Sequence, residues 1–215
     1  MMIVPSILSD SLGVVQEQLD KVALETKLRR VQVDIIDPEF ADEITIHPID
    51  LPTLDLKGLQ IDIHLMTNDP INDVIECSQI PGITTIIAQI EHMASQVDFI
   101  EHVKSYSIAV GFSLDLHTDV EEIQENLFPQ LDLIQVMGNK AGKQGESFLG
   151  EPILEKIRIL MQIREKLSAH YLIAVDIGMS PDNAKLVEAA GADMVTPGSY
   201  LWSAPNLATA IEAYA

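Results

Sequence analysis

Two patterns of apolar residues alternate along the chain. Short runs rich in β-branched residues, read as strands, give way to stretches in which apolar residues recur every three or four positions, read as helices. Residues 3–8 form the first run. Leu12, Val15, Leu19 and Val22 follow at helical spacing, with Ser9, Asp10 and Ser11 as N-cap candidates. Residues 30–36 form a second strand that ends at Asp37-Pro38, where proline can no longer donate to a ladder. Further strands are expected at 59–66, 83–89, 108–114, 131–137, 172–176 and 194–196. Helices are expected from Asp69-Pro70, around Val97, Ile100 and Val103, through Val120, Ile123 and Leu127, from Pro152, from Ser180-Pro181 to Gly191, and over Leu207, Ile211 and Tyr214. Residues 41–58 break the rhythm. Pro48 and Pro52 leave room for a short turn at best where a second helix belongs.

About eight strand–helix repeats imply parallel strands with crossover helices. For 215 residues with no linker and no low-complexity tract, the natural closure is an α/β fold of one domain, 1–215: a parallel eight-stranded (β/α)8 barrel with a short or missing second helix. An open doubly wound sheet is the alternative, but no Gly-x-Gly-x-x-Gly or Walker-type loop follows any strand. In a barrel the C-terminal strand ends share one mouth, where Asp34, His64, Met137, Asp176 and Gly198 would meet.

Charge narrows the function. The formal net charge is −20, which opposes binding to nucleic acid or to an anionic membrane. It also means that any phosphate site must rest on local donors. No apolar run approaches a bilayer span, the first residues lack a basic leader, and the one cysteine, Cys77, has no internal disulfide partner. These features fit a cytoplasmic protein.

The strand-end blocks are similar to those of the ribulose-phosphate 3-epimerase family over nearly the whole chain. Pro5-Ser6-Ile7-Leu8, Val33-Asp34-Ile35-Ile36-Asp37, Asp62-Ile63-His64-Leu65-Met66, Val136-Met137 with Gly142 and Gly145, Val175-Asp176-Ile177-Gly178, and Ala190-Gly191-Ala192-Asp193 before Gly198-Ser199 occur in the family's order. The resemblance implies a TIM barrel that interconverts ribulose 5-phosphate and xylulose 5-phosphate, or a related ketose phosphate. It implies Asp34 and Asp176 as the catalytic acid/base pair, and Asp34, His64 and Asp176 as ligands of one divalent ion (Zn, Mn, Fe or Mg). Departures cluster at the mouth. Gln32 stands where the family has a ligand histidine, Gln89 where many members have histidine, Pro38 and Ile177 where it has glycine, Ala141 where it has the lid proline, and Lys143-Gln144 where it has Phe-Gly.

Each residue also has a plainer reading. Gln32 either ligates a hard cation through its amide oxygen or only hydrogen-bonds Asp34 in a metal-free site. Ser6, Met66, Met137, Gly142, Gly145, Gly178, Gly198 and Ser199 would contact a small phosphorylated sugar, or they are a barrel-floor serine, apolar lining and turn glycines. Lys143 would add charge from a lid, or is simply solvated. The competing function is a catalytically impaired paralogue that binds a phosphorylated metabolite or a protein partner. A homo-oligomer is left open.

Overall fold

The computed structural model describes residues 1–214. Its strands are β1 (Met2–Ile3), β2 (Ser6–Ile7), β3 (Arg30–Ile36), β4 (Gln60–Met66), β5 (Ile83–Gln89), β6 (Ala109–Leu114), β7 (Leu133–Met137), β8 (Leu172–Asp176) and β9 (Met194–Thr196). All neighbours pair in parallel, in the order β1-β9-β8-β7-β6-β5-β4-β3-β2. The two ends of that sheet are two halves of one strand. Val4 and Ser6 donate their backbone N–H groups to Val195 and Pro197, while Pro5, which has no N–H, accepts from Gln32 on the other side. The first strand changes partner at Pro5 and closes an eight-stranded barrel.

Helices α1 (Leu12–Leu24), α2 (Ile71–Ser78), α3 (Gln96–Ser105), α4 (Glu151–Leu167), α5 (Pro181–Ala190), α6 (Ser199–Trp202) and α7 (Leu207–Glu212) surround it. Among the described residues, no helix is long and apolar enough to cross a membrane. The second crossover is the short 3-10 turn Pro48–Thr53, as the two prolines require. Three details differ from the sequence reading. The helical spacing of Val120, Ile123 and Leu127 resolves into two 3-10 turns, Val120–Glu122 and Glu125–Gln130. Asp119 and Glu122 cap the first reciprocally, and Pro129 lies within the second. Asp69 does not cap α2 through its side chain; Pro70 is the N-cap, and Asp69 sits at φ 53. Ser11, not Ser9 or Asp10, is the N-cap of α1, with no side-chain bond to the helix.

Strand alternation divides the interior. One face of each strand, including Val31, Val33, Ile35, Ile61, Ile63 and Leu65, packs outward against the helices in the main core. The inward faces are unusually polar for a barrel, whose interior branched apolar residues normally dominate. A small apolar group of Val4, Ile87, Leu133, Ala174 and Met194 fills part of the inside. At the N-terminal end of the strands, Arg30 Nε donates to Asp62 Oδ2 at 2.7 Å and its Nη2 to Thr85 Oγ1 at 2.9 Å. Burial raises the Asp62 carboxyl pKa, and the guanidinium beside it pulls the other way. Removing Arg30 would strand a fully buried carboxylate. Arg30→Met is therefore expected to lower stability by about 3 kcal/mol in urea melts, with Asp62→Leu added on top recovering most of it; no recovery would mean that Arg30 matters through its packing alone.

Candidate active site

At the opposite end the strands deliver a buried polar cluster. Register places Asp34 beside His64, Ser6 beside Gln32, Ser113 between Gln89 and Gln135, and Asp176 between Met137 and Thr196. The Ser6 hydroxyl donates to Asp34 Oδ2 at 2.5 Å. The Gln32 amide nitrogen donates to Asp34 Oδ1 at 2.8 Å and to Asp176 Oδ2 at 2.9 Å, bridging the two carboxylates. His64 Nδ1 lies 3.2 Å from Asp34 Oδ1 and 3.8 Å from Asp176 Oδ2. The Ile177 N–H donates to Asp176 Oδ1 at 2.7 Å. Beneath them, the Gln89 amide nitrogen lies 3.2 Å from His64 Nε2 and donates to Ser113 Oγ at 3.0 Å.

Above this cluster opens a cleft. Ser6, Asp34, Met66, Met137, Gly142, Lys143, Gly145, Asp176, Gly178, Gly198 and Ser199 all line it. His64 and Gln32 lie just below, fully buried. The lid between β7 and α4 closes one side. Ala141 packs with Ile36, Met66 and Met137, and its N–H donates to Asp115 Oδ1. Gly142, at φ 87, passes so close to Ala41 that a side chain there would collide with it. The far side is the turn after β8, where Ile177 (φ 69) and Gly178 (φ 71) are left-handed in succession. A Cβ on Gly178 would overlap the Phe148 backbone, so the glycine there lets the lid's end dock. An isoleucine at positive φ is a genuine outlier. Lys143 reaches the rim, but its ammonium pairs with Glu146 Oε1 at 3.0 Å, and Glu146 raises the lysine's pKa.

The three ligand atoms of Asp34, His64 and Asp176 lie within 4.8 Å of one another. The amide carbonyls of Gln32, Gln89 and Gln135 are buried here without a hydrogen-bond partner. Two carboxylates, an imidazole and orphaned carbonyls together fit a divalent cation. Gln135 escaped the sequence reading. Its signal was a lone amide in the apolar run 131–137, spaced by two from Leu133 and Met137 and so facing inward with them.

A closed parallel barrel whose strand ends present acids, an imidazole and a capped cleft belongs to the class of TIM-barrel enzymes, which carry their chemistry at that end. The chain itself belongs to the ribulose-phosphate 3-epimerase family: the family model matches residues 2–202. It is 32% identical over 212 residues to the ribulose-phosphate 3-epimerase of Synechocystis sp., covering 97% of this chain and 90% of that protein. The Bacillus subtilis ribulose-phosphate 3-epimerase is 28% identical over 211 residues, covering 97% of this chain and 95% of that protein. In fold it is similar to a 3-hexulose-6-phosphate synthase (TM-score 0.65, 13% identity, 99% and 96% coverage). An orotidine 5'-phosphate decarboxylase from Pyrococcus horikoshii is comparable (TM-score 0.62, 16% identity, 100% and 97% coverage).

Burial, reinforced by the Asp34 charge, lifts the Asp176 carboxyl from its ordinary 3.8 to about 6. The folded chain then keeps a proton that the unfolded chain releases between those values, so stability falls as pH rises through that window. In chelator-treated protein, Asp176→Asn should raise the melting temperature at about pH 7, with a gain that shrinks towards about pH 4. A pH-independent difference would assign the effect to packing.

Proposed function

We propose that the chain epimerises C3 of a ketose phosphate, ribulose 5-phosphate being the first candidate, by two-aspartate acid/base chemistry with a divalent cation. The carrying observation is that two buried carboxylates from β3 and β8 face one cleft, in a chain belonging to an epimerase family. Inversion next to a ketone requires a proton to leave one face of the carbon and another to arrive on the opposite face. Asp34 serves as base in one direction and Asp176 as the acid; the roles exchange in reverse. Ser6 and the Ile177 N–H orient the two carboxylates. A divalent cation, held by Asp34, His64 and Asp176 with the Gln32 carbonyl, would stabilise the charge that develops on the substrate oxygens. Its oxygen-rich donors favour Mn or Mg over zinc. The phosphate would lie against the turns at Gly178, Gly198 and Ser199, with Lys143 at the rim.

The test is deuterium wash-in at C3, followed by NMR. Wild type should exchange and epimerise with Mn or Mg. Asp34→Asn and Asp176→Asn should each lose epimerisation, while one-sided exchange survives in at least one of them. Folded protein with no wash-in under any metal would instead favour a barrel that binds a metabolite without turnover.

Lys143→Ala should weaken binding of the phosphorylated sugar about threefold and leave the melting temperature unchanged, because the Lys143–Glu146 pair is exposed. Equal affinity in both proteins would remove Lys143 from the site.

A further inference from the structure

Gln135, on β7, is fully buried, and its amide reaches Asp176, which Gln32 also touches, together with His64 and Met137. Its nitrogen lies 3.2 Å from His64 Nδ1, 3.4 Å from Asp176 Oδ2 and 3.7 Å from Met137 Sδ. Asp176 Oδ2 thus faces the amide nitrogens of both Gln32 and Gln135. Both carbonyl oxygens are left without a partner in a region closed to solvent. An unmade bond to a buried carbonyl is costly. Two such carbonyls on opposite sides of one acid–imidazole–acid cluster are therefore not incidental.

His64 adds a second constraint. Its Nδ1 faces Asp34 Oδ1, which requires a proton on that nitrogen, and also the Gln135 amide nitrogen, which requires a lone pair. One nitrogen cannot meet both demands. Half a turn of an amide exchanges its nitrogen and oxygen while the rest of the side chain stays in place. Turned, Gln135 and Gln32 each present a carbonyl to the space between the two aspartates and His64. Turned likewise, the Gln89 carbonyl accepts a hydrogen bond from the His64 Nε2–H, which leaves the Nδ1 lone pair free for a cation.

We propose that Gln135 is a cation ligand alongside Gln32, so that two amide carbonyls, Asp34, Asp176 and His64 form a site of four oxygens and one nitrogen selective for a hard divalent ion such as Mn²⁺. The inference rests on the cation reading given above and adds a ligand to it. Zinc is satisfied by few donors and favours nitrogen and sulfur, whereas Mn²⁺ and Mg²⁺ want more oxygens. Gln135 therefore contributes more to Mn²⁺ binding than to Zn²⁺ binding.

The experiment uses the full chain, stripped with chelator and refilled. Mn²⁺ binding is read by the EPR signal of free ion, and Zn²⁺ binding by competition with a chromophoric chelator. Gln135→Leu keeps the volume but removes the carbonyl. It should weaken Mn²⁺ binding at least about tenfold and Zn²⁺ binding less than about threefold. Gln135→Glu adds charge at the same place; it should tighten Mn²⁺ binding and make the melting temperature depend more steeply on Mn²⁺. If Gln135→Leu fails to fold, Gln135→Glu alone decides the matter. Mn²⁺ affinity unchanged in the Gln135 variants but lost in Asp34→Asn would overturn this inference and leave the cation site standing. Equal losses of Mn²⁺ and Zn²⁺ in Gln135→Leu would overturn the selectivity. No binding of either ion by wild type would overturn both readings.

Discussion

The amide of Gln32 between Asp34 and Asp176 is the contact on which the mouth of the barrel depends: as a donor it links the two carboxylates, and turned over it would offer its carbonyl to a cation that links them instead. Two carboxylates close enough to share one nitrogen donor repel each other, and burial removes the water that would screen them. The fold answers with donors from several strands: Gln32 and Ser6 to Asp34, Gln32 and the Ile177 N–H to Asp176. Two of these donors, Ser6 and Gln32, sit on the strands that close the barrel. Ser6 belongs to the half-strand that pairs with β3, and its carbonyl accepts from the Trp202 indole N–H at 2.6 Å. Site electrostatics and barrel closure therefore share Ser6 and Gln32.

The outer core and the interior carry different parts of the structure. The apolar core lies mainly between sheet and helices and holds the barrel whatever occupies its inside. The interior carries an ion pair at one end and an amide–carboxylate layer at the other, with only a small apolar group of its own. Gln32, Gln89 and Ile177 set the donors and shape at the mouth and lie outside that outer core.

How much of this is legible in the sequence follows from which signals are local. The alternation of Val31, Val33 and Ile35 against Gln32 and Asp34 is a two-residue period that survives into the structure unchanged, and so is that of Asp62 and His64 against Ile61 and Ile63. Pro48 and Pro52 announce the truncated crossover. The spacing of Val120, Ile123 and Leu127 misleads because a three-residue period also fits a 3-10 turn, and Pro129 tips the balance. The exchange of partners at Pro5 is not readable, since it depends on where the last strand lies. Gln135 is the instructive miss. Its type and inward phase were visible, but its meaning required the orphaned carbonyls and the neighbours from β4 and β8.

The turn after β8 carries the last step. With a net charge of −20 and its rim lysine paired to Glu146, the cleft has little electrostatic attraction to offer a phosphate. Affinity on the proposed reading must come from backbone amides at short range, and so from the exact path of the chain. That path is left-handed at both Ile177 and Gly178. Gly178 needs it because the backbone of Phe148 leaves no room for a side chain. Ile177 gains nothing local from it, as a β-branched residue at positive φ is strained by an amount on the order of 1–2 kcal/mol. Strain of this kind at a site marks a turn whose shape serves more than stability. What that shape provides is the Ile177 N–H on Asp176, the contact that fixes one of the two carboxylates over the cleft.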